Sequence, residues 1–122
     1  MNILVVDDSK AMRMIVQRTL RQAGFTEHKV SEACNGAEAL AFLRKEPCDV
    51  VLCDWNMPEM SGIELLGAVK TEQIRVQFGF ITSEGTPAMR LQAAEAGATF
   101  LIAKPFTVET FEHTLRDILV AA

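Results

Sequence analysis

The chain has 122 residues, 49% of them hydrophobic and 23% charged, which is enough apolar side chain for one buried core and too much for a disordered polymer. A net charge of −4 denies it the basic field of a nucleic-acid binder, so any DNA contact is expected to come through a partner. No apolar run is long enough to cross a bilayer, and Met1-Asn2-Ile3-Leu4-Val5-Val6-Asp7-Asp8 has no basic stretch ahead of its apolar run; the expectation is a cytoplasmic protein without membrane insertion.

Five aliphatic runs, near residues 2–6, 28–32, 49–53, 76–82 and 99–103, alternate with five stretches of helical period. That alternation predicts a doubly wound α/β fold, a parallel sheet covered on both faces, forming one unit over residues 1–122 with no attached effector domain. The first run ends in Asp7-Asp8. Ser9 then opens a helix whose apolar face carries Met12, Ile15, Val16, Thr19, Leu20 and Ala23, and Gly24 stops it. After the second run, Asn35 with Glu38 opens a helix on which Ala37, Leu40, Ala41 and Arg44 recur more weakly.

The third run leads into Asp54. Ser61 with Glu64 opens the next helix, with Ile63, Leu66 and Val69 on one face. The fourth run contains Gly79, which hints at a bend or a close backbone approach, and ends in Thr82-Ser83; Gly97 stops the helix that follows. The fifth run leads into Lys104-Pro105. A last helix opens after Thr107, with Glu109 in its first turn and Val108, Phe111, Leu115, Ile118 and Leu119 on its apolar face. Cys34, Cys48 and Cys53 show no paired spacing and are expected to be free, half-buried thiols. His28 and His113 are expected to be solvated.

In an open parallel sheet, ligands bind beyond the carboxyl ends of the strands. If the first, third, fourth and fifth strands are neighbours, Asp7, Asp8, Asp54, Thr82 and Lys104 meet in one cleft. Three carboxylates a few ångströms apart raise one another's pKa unless a cation neutralises them. An all-oxygen donor set without histidine or thiolate suits a hard ion, Mg2+ more than Ca2+. With Lys104 and Mg2+ the three acids sum to zero charge. Phosphoryl transfer needs a nucleophilic oxygen, a metal, a cation on the transferred oxygens and a hydroxyl donor, and Asp54, Mg2+, Lys104 and Thr82 can supply them. Each alone has a plainer reading, the strand-end acids as turn formers or caps, Thr82 as a strand hydroxyl and Lys104 as a solvated charge; their joint placement favours the site.

The run Val51-Leu52-Cys53-Asp54-Trp55-Asn56-Met57-Pro58-Glu59-Met60-Ser61-Gly62 resembles the phosphorylation segment of bacterial two-component response-regulator receiver domains, with most similarity to the stand-alone chemotaxis regulators. Val5-Val6-Asp7-Asp8-Ser9 resembles their acidic pair, Ile81-Thr82-Ser83 their switch hydroxyl region and Lys104-Pro105-Phe106 their lysine motif, from Asn2 to about Leu119 in order. The resemblance implies a flavodoxin-like sheet of order 2-1-3-4-5. It also implies that Asp54 accepts a phosphoryl group from the phosphohistidine of a sensor histidine kinase. Asp8 and Asp54 would ligate Mg2+ directly, Asp7 through water, and Asn56 by its backbone carbonyl. Lys104 would pair with a phosphoryl oxygen, Thr82 would swing in on another, and the Lys104-Pro105 bond would be cis. Asn56 and Glu84 would flank the path of the attacking water and tune the lifetime of the phospho-form.

The implied partners are the kinase, read around Met12, Arg13, Met14, Gln17 and Phe106, and a downstream protein bound through the fourth helix, fifth strand and fifth helix; the chain would be a monomer or a phosphorylation-dependent dimer. One departure stands out. Leu101 occupies the place of the family's usual aromatic, and Phe100 points to the opposite face of its strand. Leu101 is then either a smaller switch element or core packing. Trp55, beside the acceptor, is expected to be partly exposed and to report on the site. A Mg2+-dependent phosphatase using an aspartate nucleophile is disfavoured because Asn56 stands where an acid-base aspartate would be needed and no cap is inserted. A phosphorylation-independent receiver is disfavoured because the acids, the acceptor and the lysine are all retained.

Overall fold

The apolar runs become five strands and five helices in strict alternation. They are β1 (Asn2–Val6), α1 (Lys10–Gln22), β2 (Lys29–Ala33), α2 (Gly36–Lys45), β3 (Val50–Asp54), α3 (Gly62–Thr71), β4 (Gln77–Thr82), α4 (Pro87–Ala96), β5 (Phe100–Ala103) and α5 (Val108–Val120). The computed structural model describes residues 1–120. All pairings are parallel and the order is β2-β1-β3-β4-β5, as expected. The chain leaves β1 for the β2 edge and returns across β1 to β3, so the carboxyl ends of β1 and β3 face a crevice where the winding reverses.

The central strands are apolar on both faces because helices cover both. Leu4, Val6, Val51, Cys53, Phe78 and Phe80 pack towards Ala39, Leu40 and Leu43 of α2, Leu65, Leu66 and Val69 of α3 and Ala93 of α4. Ile3, Val5, Val50, Leu52, Ile81 and Ile102 pack on the other side against Val16 and Leu20 of α1 and Phe111 and Leu115 of α5. Phe78, Phe80 and Phe111 are wholly buried, each contributing about 2 to 3 kcal/mol of transfer free energy. The side chain of Leu119 lies outside the described residues.

The helix starts follow the expected chemistry. Ser9 accepts the Met12 amide and Asn35 the Glu38 amide, while Ser61 and Glu64 form a reciprocal capping box. Thr86 caps α4 by accepting the Met89 amide, with Pro87 in the first turn. Gly24 and Gly97 take left-handed φ values of 96° and 100° at the ends of α1 and α4.

Several expectations change. The buried face of α2 is Gly36, Ala39, Leu40 and Leu43, whereas Ala37, Ala41 and Arg44 are exposed; alanines on both sides of this helix blur its period, and Leu43 fixes the true face. Ile15 is on the rim of the α1 face, with 36% exposure. The thiols differ: Cys34 is exposed, Cys48 half-buried and Cys53 buried. His28 is half-buried against Phe25 with its Nδ1 unpartnered, while His113 is exposed as expected. Gly79 is a close-approach glycine. Phe100 is its register partner on β5, and a methyl group at Gly79 would stand 2.1 Å from that ring.

Candidate functional site

Asp7 follows β1 directly. Its amide donates to Ala33 O at 3.1 Å and its Oδ1 accepts the Ser9 amide at 2.9 Å, so the turn into α1 orients the carboxylate. Asp7 is buried, at 5% exposure, and Asp8 beside it is exposed. Asp54 is the last residue of β3, one step later than the run near 49–53 suggests, and is half-buried. One carboxylate oxygen from each of Asp7, Asp8 and Asp54 lies within 4.8 Å of the others.

Lys104 approaches from β5. Its amide donates to Thr82 O at 2.7 Å, the Lys104-Pro105 bond is cis, and its Nζ stands 3.8 Å from Asp7 Oδ2 and 3.7 Å from Asp54 Oδ1. These are ion pairs slightly beyond hydrogen-bond length, so the ammonium bridges buried Asp7 and half-buried Asp54. Thr82 is wholly buried at the end of β4, and its Oγ1 accepts the Glu84 amide at 3.2 Å. Asn56 and Glu84 are both exposed at the mouth. Trp55 is half-buried, its ring 4.7 Å from that of Phe80. Leu101 is half-buried on the α4 side of β5, packed on the core, and Phe100 lies on the other side, as the strand period requires.

Burial pushes the Asp7 carboxyl above its usual pKa, and the charges of Asp54 and Asp8 add to that against the Ser9 amide and Lys104. Burial likewise raises Asp54, with Asp8 adding and Lys104 and the Trp55 and Asn56 amides opposing. The protein alone therefore does not fully neutralise its acids: three carboxylates face one ammonium. The donor set is all oxygen. The Cys53 thiol donates to Asp54 O at 3.1 Å, and burial holds it well above the usual thiol range, so it offers no soft ligand. Three clustered, partly desolvated carboxylates fit a hard divalent cation such as Mg2+.

Gly62 brings α3 hard against the acceptor. A methyl group there would stand 2.4 Å from Asp54 O, and the Gly62 amide donates to Trp55 O at 2.8 Å. Gly62 stands in the acceptor segment, but only the folded turn reveals that its bareness is required. Arg13, expected to face a partner, turns inward instead: it donates to Asp7 O and pairs with Glu32 Oε1 at 2.9 Å, with 13% of its side chain exposed. Glu32 on β2 is the sequence signal for that pairing, visible only once β2 is known to flank β1.

The family model described as the response regulator receiver domain matches residues 3–116. The chain belongs to the response regulator receiver family. A chemotaxis protein CheY homolog of Campylobacter jejuni is 42% identical to this receiver over 122 residues, covering 98% of this chain and 92% of the relative. Chemotaxis protein CheY-3 of Vibrio cholerae is 40% identical, covering 97% and 91%. Among solved structures, chemotaxis response regulator CheY4 of Vibrio cholerae is similar to it with a TM-score of 0.83 at 36% identity, covering 96% of this chain and 97% of that one. This receiver has no helix long and apolar enough to cross a membrane among the described residues.

Proposed function

We propose that this receiver is a phosphorylation-switched signalling protein of a cytoplasmic two-component system, in chemotaxis, with Asp54 as the phosphoacceptor. The observation that carries the reading is the cluster itself: Asp7, Asp8 and Asp54 oxygens within 4.8 Å and Lys104 Nζ between Asp7 and Asp54. An Asp54 carboxylate oxygen forms a bond to phosphorus as the N–P bond of a kinase phosphohistidine breaks, and the freed imidazole takes up a proton. Asp8, Asp54 and the Asn56 carbonyl would hold Mg2+, with Asp7 acting through water. When bound, Mg2+ supplies charge neutralisation for the acids and for the transferred oxygens. Lys104 would pair with a phosphoryl oxygen on Asp54, and Thr82 would swing in to donate its hydroxyl to another.

Exposed Asn56 and Glu84 leave the mouth open to water, which supports a phospho-form that decays by itself. The sensor kinase would dock beside Lys104, where Met12, Ile15, Ser83, Pro105 and Phe106 line an apolar depression of about 420 Å³. The phosphorylated receiver would bind its downstream protein through α4, β5 and α5, as a monomer or as a phosphorylation-dependent dimer. The test is intact mass after treatment with acetyl phosphate and Mg2+. One added phosphoryl group, absent in Asp54→Asn and without Mg2+, is expected; steady hydrolysis of phosphoesters, or no mass change in the wild type, would overturn the reading.

A further inference from the structure

The loop between β4 and α4 follows Thr82, the last residue of β4, and three contacts fix where it lies. The Thr82 hydroxyl oxygen accepts the Glu84 amide at 3.2 Å, which ties the side chain to the loop beyond it. Gly85 then lies against β5, where a methyl group would stand 2.9 Å from Ala103 Cβ and 3.7 Å from Leu101 Cδ2. From the first turns of α4, Arg90 reaches back: its Nε donates to Gly85 O at 3.3 Å and its Nη1 to Leu101 O at 3.4 Å. Among the described residues Arg90 has no carboxylate at ion-pair distance. Its planar donors are directed at two carbonyls, one from the loop and one from the strand.

We infer that Arg90 is a positioning residue that straps the β4–α4 loop to β5, holding Thr82 to the loop and setting how readily it engages a modified Asp54. The inference rests on Asp54 being the acceptor and adds a regulator of that site. Leu101 makes the strap accessible: the depression beside it, about 170 Å³ and lined by Arg90, Ala93 and Ala98 among others, leaves the guanidinium a route to the strand carbonyl. For Thr82 to turn its hydroxyl towards a phosphoryl group it gives up the Glu84 amide, and the segment carrying Glu84 and Gly85 shifts with it. Each Arg90 bond to Gly85 and Leu101 opposes that shift. Because Arg90 is exposed, its bonds compete with water and bias the equilibrium modestly, while the fold hardly depends on them.

The test compares the wild type with Arg90→Ala and with Gly85→Ala, which breaks the same strap from the loop side by steric push against Ala103. In the untreated protein, amide hydrogen exchange at Glu84 and Gly85 is expected to quicken in both variants, with the urea midpoint little changed for Arg90→Ala. Beryllofluoride affinity with Mg2+, followed by Trp55 fluorescence, is expected to tighten about threefold in both, a coupling of the size expected for weak exposed bonds. In a Thr82→Ala background that gain should vanish, which a merely structural role for Arg90 would not produce. Unchanged exchange in Arg90→Ala, or a gain that persists without the Thr82 hydroxyl, would overturn the strap. If the wild type takes no beryllofluoride, the acceptor reading fails, and exchange at Glu84 still decides whether the strap exists.

Discussion

The acid half of the site and the half that would read it are built differently. Asp7 and Asp54 sit at the ends of strands that run through the core, residues 3–6 and 50–53 being buried, and are held by the Ser9 amide, the Ala33 carbonyl and the close seat of Gly62. The reading half, from Thr82 through Glu84 and Gly85 to Leu101 and Arg90, starts at a buried hydroxyl, but beyond it the loop is tied by bonds of 3.2 to 3.4 Å whose other members are exposed or half-buried. Rigidity therefore concentrates where charge must be placed, and looseness where a conformational change must begin.

Substitutions on the two sides should differ in kind as well as size. The largest effect is expected for Lys104→Ala, which removes the ammonium between the acids. The rate of phosphorylation by acetyl phosphate, followed by intact mass, should fall by about two orders of magnitude, the usual effect of losing a preorganised electrostatic contact. An unchanged rate would detach Lys104 from the chemistry. Next is Gly62→Ala, whose new methyl would meet the Asp54 carbonyl oxygen; urea unfolding should show a loss of about 2 to 3 kcal/mol, as for overpacked interiors.

Asp54→Asn should act in the opposite direction on metal-free protein. The raised Asp54 carboxyl binds its proton more tightly folded than unfolded, so its ionised form destabilises the fold at neutral pH, and this is relieved as pH falls through the folded pKa. The variant is expected to be more stable than the wild type at pH 7, with the advantage shrinking towards the acid range. Chemical denaturation across pH checks both the sign and the trend. The smallest effect is expected for Ser61→Ala, which removes half of the α3 capping box at a cost of about 1 kcal/mol and leaves the acids in place.

The rigid half was the more legible in the sequence. Strand-end acids, cap residues and stop glycines are local signals, and the structure brings Asp7, Asp8, Asp54 and Lys104 together at one end of the sheet as their order along the chain suggests. The errors came where a residue's role depends on a distant element. Arg13 reads as one of the residues facing a kinase until β2 brings Glu32 beside it; at Gly79 the sequence leaves a bend or a close backbone approach open, and Phe100 lying across it decides for the close approach. The α2 face was misplaced because alanine buries or exposes at little cost. Arg90 gave no signal at all, since an arginine in a helix pattern specifies no carbonyl partner from another strand.

The central claim is that the acid cluster exists to make one carboxylate, that of Asp54, chemically usable. The most direct measurement is to treat the receiver with acetyl phosphate and Mg2+, reduce the acyl phosphate with borohydride, and locate the product by peptide sequencing in the mass spectrometer. Conversion of Asp54 to homoserine, with Asp7 and Asp8 unchanged, is the expected result. Reduction at another carboxylate, or none in the peptide containing Asp54, would contradict the account.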